Sequence, residues 1–325
     1  MSGAADERAM RRASDLAAGV RRLTSPNPWV GSVVEPGGFE GATSAPGGPH
    51  AESHALRAAG EAARGATLYA TLEPCSHTGR TPPCADQIID AGIARVVVGV
   101  EDPDERVRGR GIRALRAAGI RVDVGVCADE VRAQLAPYLK HRGTGRPWVV
   151  LKLAATLDGR TAAPDGSSRW ITGEAARADA HRLRAESDAV IVGAGTVRAD
   201  DPALTVRSAD GTDPLRVVLG DAPADARVQP ALELEGDLGG VLDELGRRGV
   251  LQAMVEGGAT VAGDFHRAGL VDRYVLYLAP AFFGGDDARP LFTGSGAPTI
   301  ADLWRGRIES VERLGDDLRL ECSPA

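Results

Sequence analysis

The sequence predicts a two-domain α/β protein, and three observations carry that prediction. The chain has 325 residues, more than a single hydrophobic core usually serves, so two domains of ordinary size are expected. Strand-length apolar runs alternate with helix-like stretches in both halves, the rhythm of a layered sheet covered by helices. Between the halves, residues 137–148 (PYLKHRGTGRPW) are rich in Gly, Pro and basic residues, which places a boundary near Gly145. The expected domains are 1–145 and 146–325.

Taken in order, WVGSVV (29–34), ATLYATLEP (66–74) and RVVVGV (95–100) are predicted strands of the first half. ESHALRAAGEAAR (52–64), ADQIIDAGI (85–93) and GIRALRAAGI (111–120) are its predicted helices. The second half opens on the strand WVVLKLAAT (148–156), then a helix at 176–188, strands AVIVGAG and LRVVL, and a helix at 239–249. LQAMVEG and RYVLYLAPAFF are late strands. No block repeats between the halves, and neither low-complexity tracts nor coiled-coil heptads occur.

A formal net charge of -7 argues against a surface built to hold a phosphate backbone, which needs clustered Lys and Arg. The start, MSGAADERAMRRASD, has no apolar core, and no segment approaches the roughly 20 apolar residues that cross a bilayer. A cytoplasmic protein is expected, with no nucleic-acid or membrane partner. Its four cysteines, Cys75, Cys84, Cys127 and Cys322, suit metal binding or burial better than a disulfide framework; Cys127 and Cys322 are expected to be buried.

The sharpest signal is PHAESHA at 49–55 followed by LEPCSHTGRTPPCAD at 72–86. A His, a Glu two residues on, and a Pro-Cys with a second Cys beyond reproduce the signature of hydrolytic zinc deaminases. Eight residues separate Cys75 from Cys84, where the short form of the motif has two. One imidazole (His50) and two thiolates (Cys75, Cys84) leave a tetrahedral position open for a water, whose pKa zinc lowers toward roughly 7. Glu52 then faces the water and moves its proton to the leaving amine. Both motifs are expected to open helices, whose N-termini favour anionic ligands. A closed structural zinc site would need a fourth ligand, with His54 and His77 as candidates; His54 otherwise reads as an ordinary helix residue. The His50 and His54 pair mimics a zincin helix, but that motif has Glu directly after the first His. His141, His181 and His266 stand in no constellation.

With SPNPWVGSVV, PHAESHALRAAG, LEPCSHTGRTPPC and, in the second half, KLAATLDGRTA, SSRWIT and DDPALTVR, the chain resembles the bifunctional riboflavin-biosynthesis deaminase/reductase family over almost its whole length. The resemblance implies a cytidine-deaminase-like three-layer first domain and a dihydrofolate-reductase-like second domain. The first removes the C2 amino group of 2,5-diamino-6-(5-phosphoribosylamino)pyrimidin-4-one; the second uses NADPH to reduce the ribosyl group of the uracil product to ribityl. It implies His50, Cys75 and Cys84 as zinc ligands, Glu52 as proton donor, and Asn27, His77 and Arg80 lining the pyrimidine and phosphate pocket. A homo-oligomer acting on a small phosphorylated pyrimidine is the expected assembly.

No G-x-G-x-x-G follows a strand, since GAGTVRAD (193–200) has only the first two glycines, so a standard Rossmann unit is not expected. The resemblance implies NADP contacts at Ala154, Trp170, Thr196, Asp200 and a glycine-rich turn of Gly258, Ala259, Thr260, Val261, Ala262, Gly263 and Asp264. It implies substrate contacts at Ser168, Arg184, Leu204, Arg207 and Glu256. Arginine's planar fork suits the ribose phosphate, which fits Arg184 and Arg207; EGGATVAG allows close backbone approach to a pyrophosphate at a helix N-terminus. Lys152 and Asp200 are the candidate proton sources for hydride addition, and Trp170 is expected to be core material as well as a cofactor contact. Relative to the family pattern, Ala259 stands in place of a usual Pro, Asp104-Glu105 in place of Asn-Pro, and the segment 208–250 is short. The competing reading is a nucleic-acid or nucleoside deaminase with an unrelated second domain; a structural zinc module fused to a binding domain is the non-enzymatic one.

Overall fold

The computed structural model describes residues 3–76, 82–207 and 211–325. The chain divides into two compact units, Met1–Gly145 and Arg146–Ala325.

The first unit opens on α1 (Ala4–Thr24), with Asp6 and Glu7 in its first turn and Arg21 and Arg22 in its last, each sign matched to the helix dipole. Its buried stripe is Ala9, Met10, Ala13 and Ala17. So small a face lets the backbone come close: a Cβ on Gly31 would stand 1.8 Å from the Ala13 carbonyl oxygen. There follow β1 (Gly31–Glu35), β2 (Phe39–Ala42), α2 (Ala51–Ala59), a 3-10 turn at Gly60–Ala63, β3 (Thr67–Leu72) and α3 (Cys84–Asp90). The unit closes with β4 (Arg95–Val100), α4 (Arg110–Ala117), β5 (Arg121–Val124) and α5 (Ala128–Thr144).

The sheet order is β2-β1-β3-β4-β5. β1 is antiparallel to both neighbours, whereas β3, β4 and β5 are parallel. Leu68, Ala70, Val96 and Val98 of the sheet pack against Leu56, Ile88, Ile112 and Leu115 of α2, α3 and α4. Because β3 and β4 run the same way, the chain leaves both at one edge of the sheet, the edge where ligands sit in open α/β folds.

One expectation is corrected here, that Cys127 and Cys322 are buried. Residues 137–144 complete α5, with Pro137 inside the helix and Gly145 ending it at φ 75°. Pro137 removes one intrahelical hydrogen bond, but Val131, Leu135, Tyr138 and His141 recur on one buried face, and that packing holds the helix together. Cys127 and Cys322 are only partly buried.

The second unit runs β6 (Trp148–Thr156), β7 (Arg160–Ala162), α6 (Glu174–Ala185), β8 (Ala189–Gly193), α7 (Ala194–Asp200), β9 (Leu215–Leu219) and β10 (Leu232–Leu234). It continues with α8 (Leu238–Arg247), β11 (Gln252–Val255), α9 (Ala259–Arg267), β12 (Arg273–Ala279), β13 (Arg289–Pro290), β14 (Gly306–Leu314) and β15 (Asp317–Pro324). Eight strands in the order β10-β9-β8-β11-β6-β12-β15-β14 form one sheet, parallel from β10 to β12 and antiparallel through β15 and β14. Alternate residues enter different cores: Val149, Leu151, Ile191 and Val255 meet α8 and α9 on one face, and Val150, Val190 and Met254 meet α6 and α7 on the other. Burial on both faces explains the continuous apolar text of these strands. No helix among the described residues is long and apolar enough to cross a membrane.

Candidate metal centre and active sites

In the first unit the motif residues converge by the way their elements begin. His50 is the N-cap residue of α2 and Glu52 lies in its first turn; Cys84 is the first residue of α3; Cys75 leaves the end of β3. The close packing of α4 on this loop depends on a glycine, because a Cβ at Gly111 would stand 1.9 Å from the Pro74 carbonyl oxygen.

His50 Nδ1 lies 3.3 Å from Cys84 Sγ and 3.6 Å from Cys75 Sγ, and the three ligand atoms all fall within 4.8 Å of one another. Ligand bonds of tetrahedral zinc place N and S about 3.6 Å apart, so the donor set fits that ion through Nδ1. Hydrogen bonding with Cys84, opposed by burial and aided by His50, pulls the Cys75 thiol down to about 4. Cys84 is pushed up, chiefly by its hydrogen bond with Cys75 and then by burial. His50 is shifted up, chiefly by its hydrogen bond with Cys75. Glu52 is 3 % exposed, and burial, with the Cys75 charge second, pushes its carboxyl up to about 7. That is a range suited to moving a proton in either direction at neutral pH.

His50, Glu52 and Cys75 open on a cavity of about 480 Å³ that Asn27 also lines. His54 is not a fourth ligand: its Nε2 lies 2.8 Å from Ser44 Oγ, outside the cluster. His77 and Arg80 lie outside the described residues.

Several groups at this cavity had no place in the motif reading. Glu73, 3 % exposed, accepts backbone hydrogen bonds from Gly109 at 2.9 Å, Ile112 at 3.2 Å and Asp102 at 3.3 Å. Asp102 accepts from the Tyr138 hydroxyl at 3.1 Å and the Asp104 backbone at 2.9 Å, and burial pushes it up to about 6. Arg106 and Arg142 line the same wall. A Glu between an apolar strand end and Pro-Cys was the one visible hint of Glu73.

In the second unit, Arg184 of α6 and Glu256, just beyond β11, meet as a two-pronged pair at 2.8 and 2.9 Å, with side chains 10 % and 11 % exposed. Arg184 also donates to the Thr205 carbonyl at 2.6 Å, and His181 Nδ1 stands 3.5 Å from its Nη1. His181 thus belongs to a charged constellation, contrary to the sequence reading. Its pKa is lowered by burial and by the Arg184 charge. Lys152 on β6 is also held down, by burial first, with Glu256 opposing; its ammonium lies 5.9 Å from the centroid of the Tyr277 ring.

The expected glycine-rich turn is a correction. Gly258 caps α9, and Ala259 to Asp264 are helical; Ala262 lies in the core, and Gly263 is buried because a Cβ there would meet the Thr293 carbonyl at 2.4 Å. What is free for an anion is the helix start, which has no side-chain cap. Gly258 N–H donates to Thr196 Oγ1 at 3.0 Å, joining two expected cofactor positions. Trp170 is not core material: it is 67 % exposed, with the Arg177 guanidinium 4.7 Å from its ring centroid. Leu204 is 4 % exposed and packs in the core, with its backbone at φ 52°. Asp200 ends α7 exposed, its carbonyl accepting from Arg169 at 2.9 Å. Arg207 is exposed, and Ser168 and Ala154 are partly exposed.

Residues 4–100 match the family model described as the cytidine and deoxycytidylate deaminase zinc-binding region, and residues 147–320 match the RibD C-terminal domain. The riboflavin biosynthesis protein RibD of Escherichia coli K12 is 40 % identical, over 97 % of this chain and 98 % of its own length. That of Mycobacterium tuberculosis H37Rv is 44 % identical over 93 % and 92 %. Among solved structures, form 1 of Acinetobacter baumannii RibD superposes with a TM-score of 0.93 at 39 % identity, covering 98 % of this chain and 99 % of that one. A diaminohydroxyphosphoribosylaminopyrimidine deaminase/5-amino-6-(5-phosphoribosylamino)uracil reductase from Thermotoga maritima gives 0.86 at 33 % identity, covering 98 % and 99 %.

Proposed function

Because the chain belongs to the RibD family of bifunctional riboflavin-biosynthesis deaminase/reductases, we propose that its two units divide the two reactions between them. In this reading residues 1–145 hydrolyse 2,5-diamino-6-(5-phosphoribosylamino)pyrimidin-4-one to 5-amino-6-(5-phosphoribosylamino)uracil and ammonia. Residues 146–325 reduce the ribosyl group of that product to ribityl, consuming NADPH and a proton.

The observation that carries the first half is the His50, Cys75 and Cys84 cluster opening, beside the buried Glu52, on a cavity of about 480 Å³. His50 Nδ1 and the two sulfurs would hold zinc, which would supply Lewis-acid activation of a water. Glu52 takes the proton from the attacking water and returns it to the departing amine. Its burial keeps that carboxyl close to neutral pH and keeps bulk water from competing for the proton. Asn27, with His77 and Arg80, orients the pyrimidine and its phosphate arm.

For the second half, NADPH, when bound, would supply hydride to the sugar C1. The uncapped start of α9, at Gly258, Ala259, Thr260 and Val261, would hold its pyrophosphate, with Thr196 fixing the Gly258 amide and Ala154, Trp170 and Asp200 bordering the site. Lys152 delivers the proton that accompanies hydride addition. Arg184, Arg207, Ser168 and the Leu204 backbone hold the phosphorylated product, with Glu256 fixing the Arg184 fork. The homo-oligomer and the cytoplasmic location belong to the same reading.

The test is to incubate the zinc-loaded protein with the diaminopyrimidinone phosphate, following ammonia release and then NADPH oxidation. Both signals in sequence support the reading. Turnover confined to RNA or free nucleosides defeats it, and ammonia release without oxidation of NADPH removes its second half.

A further inference from the structure

The wall of the deaminase cavity formed by the β4–α4 loop and by α5 carries an arrangement that the zinc chemistry does not use. Arg106 grips Asp104 with two nitrogens, Nε at 3.0 Å and Nη2 at 2.7 Å. Arg142 reaches the same carboxylate only at 3.8 Å, beyond hydrogen-bond range. Its Nε is buried, and it has no hydrogen-bond partner among the described residues. The Arg142 guanidinium lies 5.2 Å from the centroid of the Tyr138 ring, and its side chain is 26 % exposed. A buried guanidinium nitrogen left unpaired beside an open cavity is costly unless something else arrives to accept its hydrogen bond.

We propose that Arg142, assisted by Arg106, binds the phosphate of the pyrimidine substrate, with Asp104 as the strut that holds the two guanidiniums together on this wall. The inference rests on the deaminase reading above and deepens it by naming groups that select the phosphorylated substrate. The chemistry favours an anion for a specific reason. The carboxylates on this wall already have their acceptors engaged: Asp104 by Arg106, and Asp102 by the Tyr138 hydroxyl and a backbone N–H. The free capacity that remains is donor capacity. A guanidinium matches a phosphate by parallel charge-assisted hydrogen bonds. Asp104, held down to about 2 chiefly by Arg106, and Asp102 balance the two guanidiniums in charge, so the preference for an anion rests on the buried Arg142 Nε that lacks an acceptor.

The deciding experiment compares ammonia release from the phosphorylated substrate and from its dephosphorylated counterpart, in zinc-loaded wild type, Arg142→Gln, Arg142→Lys and Arg106→Gln, with zinc content read on each. Arg142→Gln is expected to raise KM for the phosphorylated substrate about 10- to 100-fold, the size of one lost charged hydrogen-bond contact, with kcat changed less. Its parameters on the dephosphorylated substrate stay as in wild type, and Arg142→Lys falls between. Inorganic phosphate competes with substrate in wild type and more weakly in Arg142→Gln. Arg106→Gln alters a side chain 67 % exposed and, with folding checked by its melting temperature, gives a smaller KM rise on the phosphorylated substrate alone. Equal losses on both substrates, or unchanged KM in Arg142→Gln and Arg106→Gln, overturn the proposal while leaving the deaminase reading in place. Failure of the wild type to release ammonia from either substrate removes both.

Discussion

Glu73 accepts a hydrogen bond from the Ile112 backbone at 3.2 Å, and so fastens the end of β3 to the first turn of α4. Two further N–H groups, from Gly109 and Asp102, converge on the same carboxylate, and the next two residues of the chain are Pro74 and Cys75. The metal centre is therefore held by a carboxylate that touches no metal ligand itself.

Replacing Glu73 by Ala strands three buried donors, each worth roughly 1 to 3 kcal/mol when unpaired. The expected result is a loss of about 3 kcal/mol or more in urea unfolding, together with lower zinc content per chain. Glu73→Gln, which keeps one acceptor, loses less of both. Unchanged stability in Glu73→Ala would show the three bonds to be replaced by water.

The Arg184–Glu256 pair is almost completely buried, so removing one partner leaves an uncompensated charge. Arg184→Met and Glu256→Leu are each expected to lose about 3 to 5 kcal/mol, and the double variant recovers part of that loss. Denaturant melts of all four proteins give the coupling energy; simple additivity would count against the pair's being an energetic unit.

Asp6 in α1 takes two hydrogen bonds from Arg95, each at 2.9 Å, and Arg95 holds its carboxyl down at about 2 against an ordinary 3.8. A depressed carboxylate pKa stabilises the fold above the ordinary value and loses that contribution as pH falls through the folded one. Melting temperature is thus expected to drop between pH 4 and pH 2, and Asp6→Asn to flatten that part of the curve. Equal pH slopes in the two proteins would contradict it.

Burial lowers the Lys152 pKa while the Glu256 charge opposes, so its protonated form is lost at lower pH than for an exposed lysine. The alkaline limb of NADPH oxidation is expected at lower pH than an exposed lysine would give, and Glu256→Gln shifts it lower still by removing the opposing charge. Lys152→Ala is expected to stop NADPH oxidation while NADPH still binds, as read by fluorescence titration. Full turnover in Lys152→Ala would move the proton source elsewhere.

The metal cluster was legible because His50 and Glu52 share one helix start and only eight residues separate the two cysteines, so short spacing alone reports their proximity. Glu73, Asp102, Tyr138 and Arg142 escaped because they come from a strand end, a loop and a distant helix, and only the parallel pairing of β3 and β4 brings them to one edge. The helix α1 was hidden by its face of Ala9, Ala13 and Ala17, too small to register as an apolar stripe. Pro137 disguised the end of α5, since a proline signals a break locally although packing on Leu135 and Tyr138 overrides it. The positions of Ala262, Gly263 and Leu204 show a further limit: glycine-rich text and resemblance named the segments, but only the register of α9 and the turn at Leu204 decide which atoms face outward.

Substituting Gln for Glu52 tests the account most directly, because it removes a proton carrier while leaving every proposed zinc ligand in place. Measured side by side with wild type, zinc per chain is expected to be unchanged while ammonia release from the diaminopyrimidinone phosphate falls by roughly 100-fold or more. Wild-type turnover in a zinc-replete Glu52→Gln protein would contradict the account.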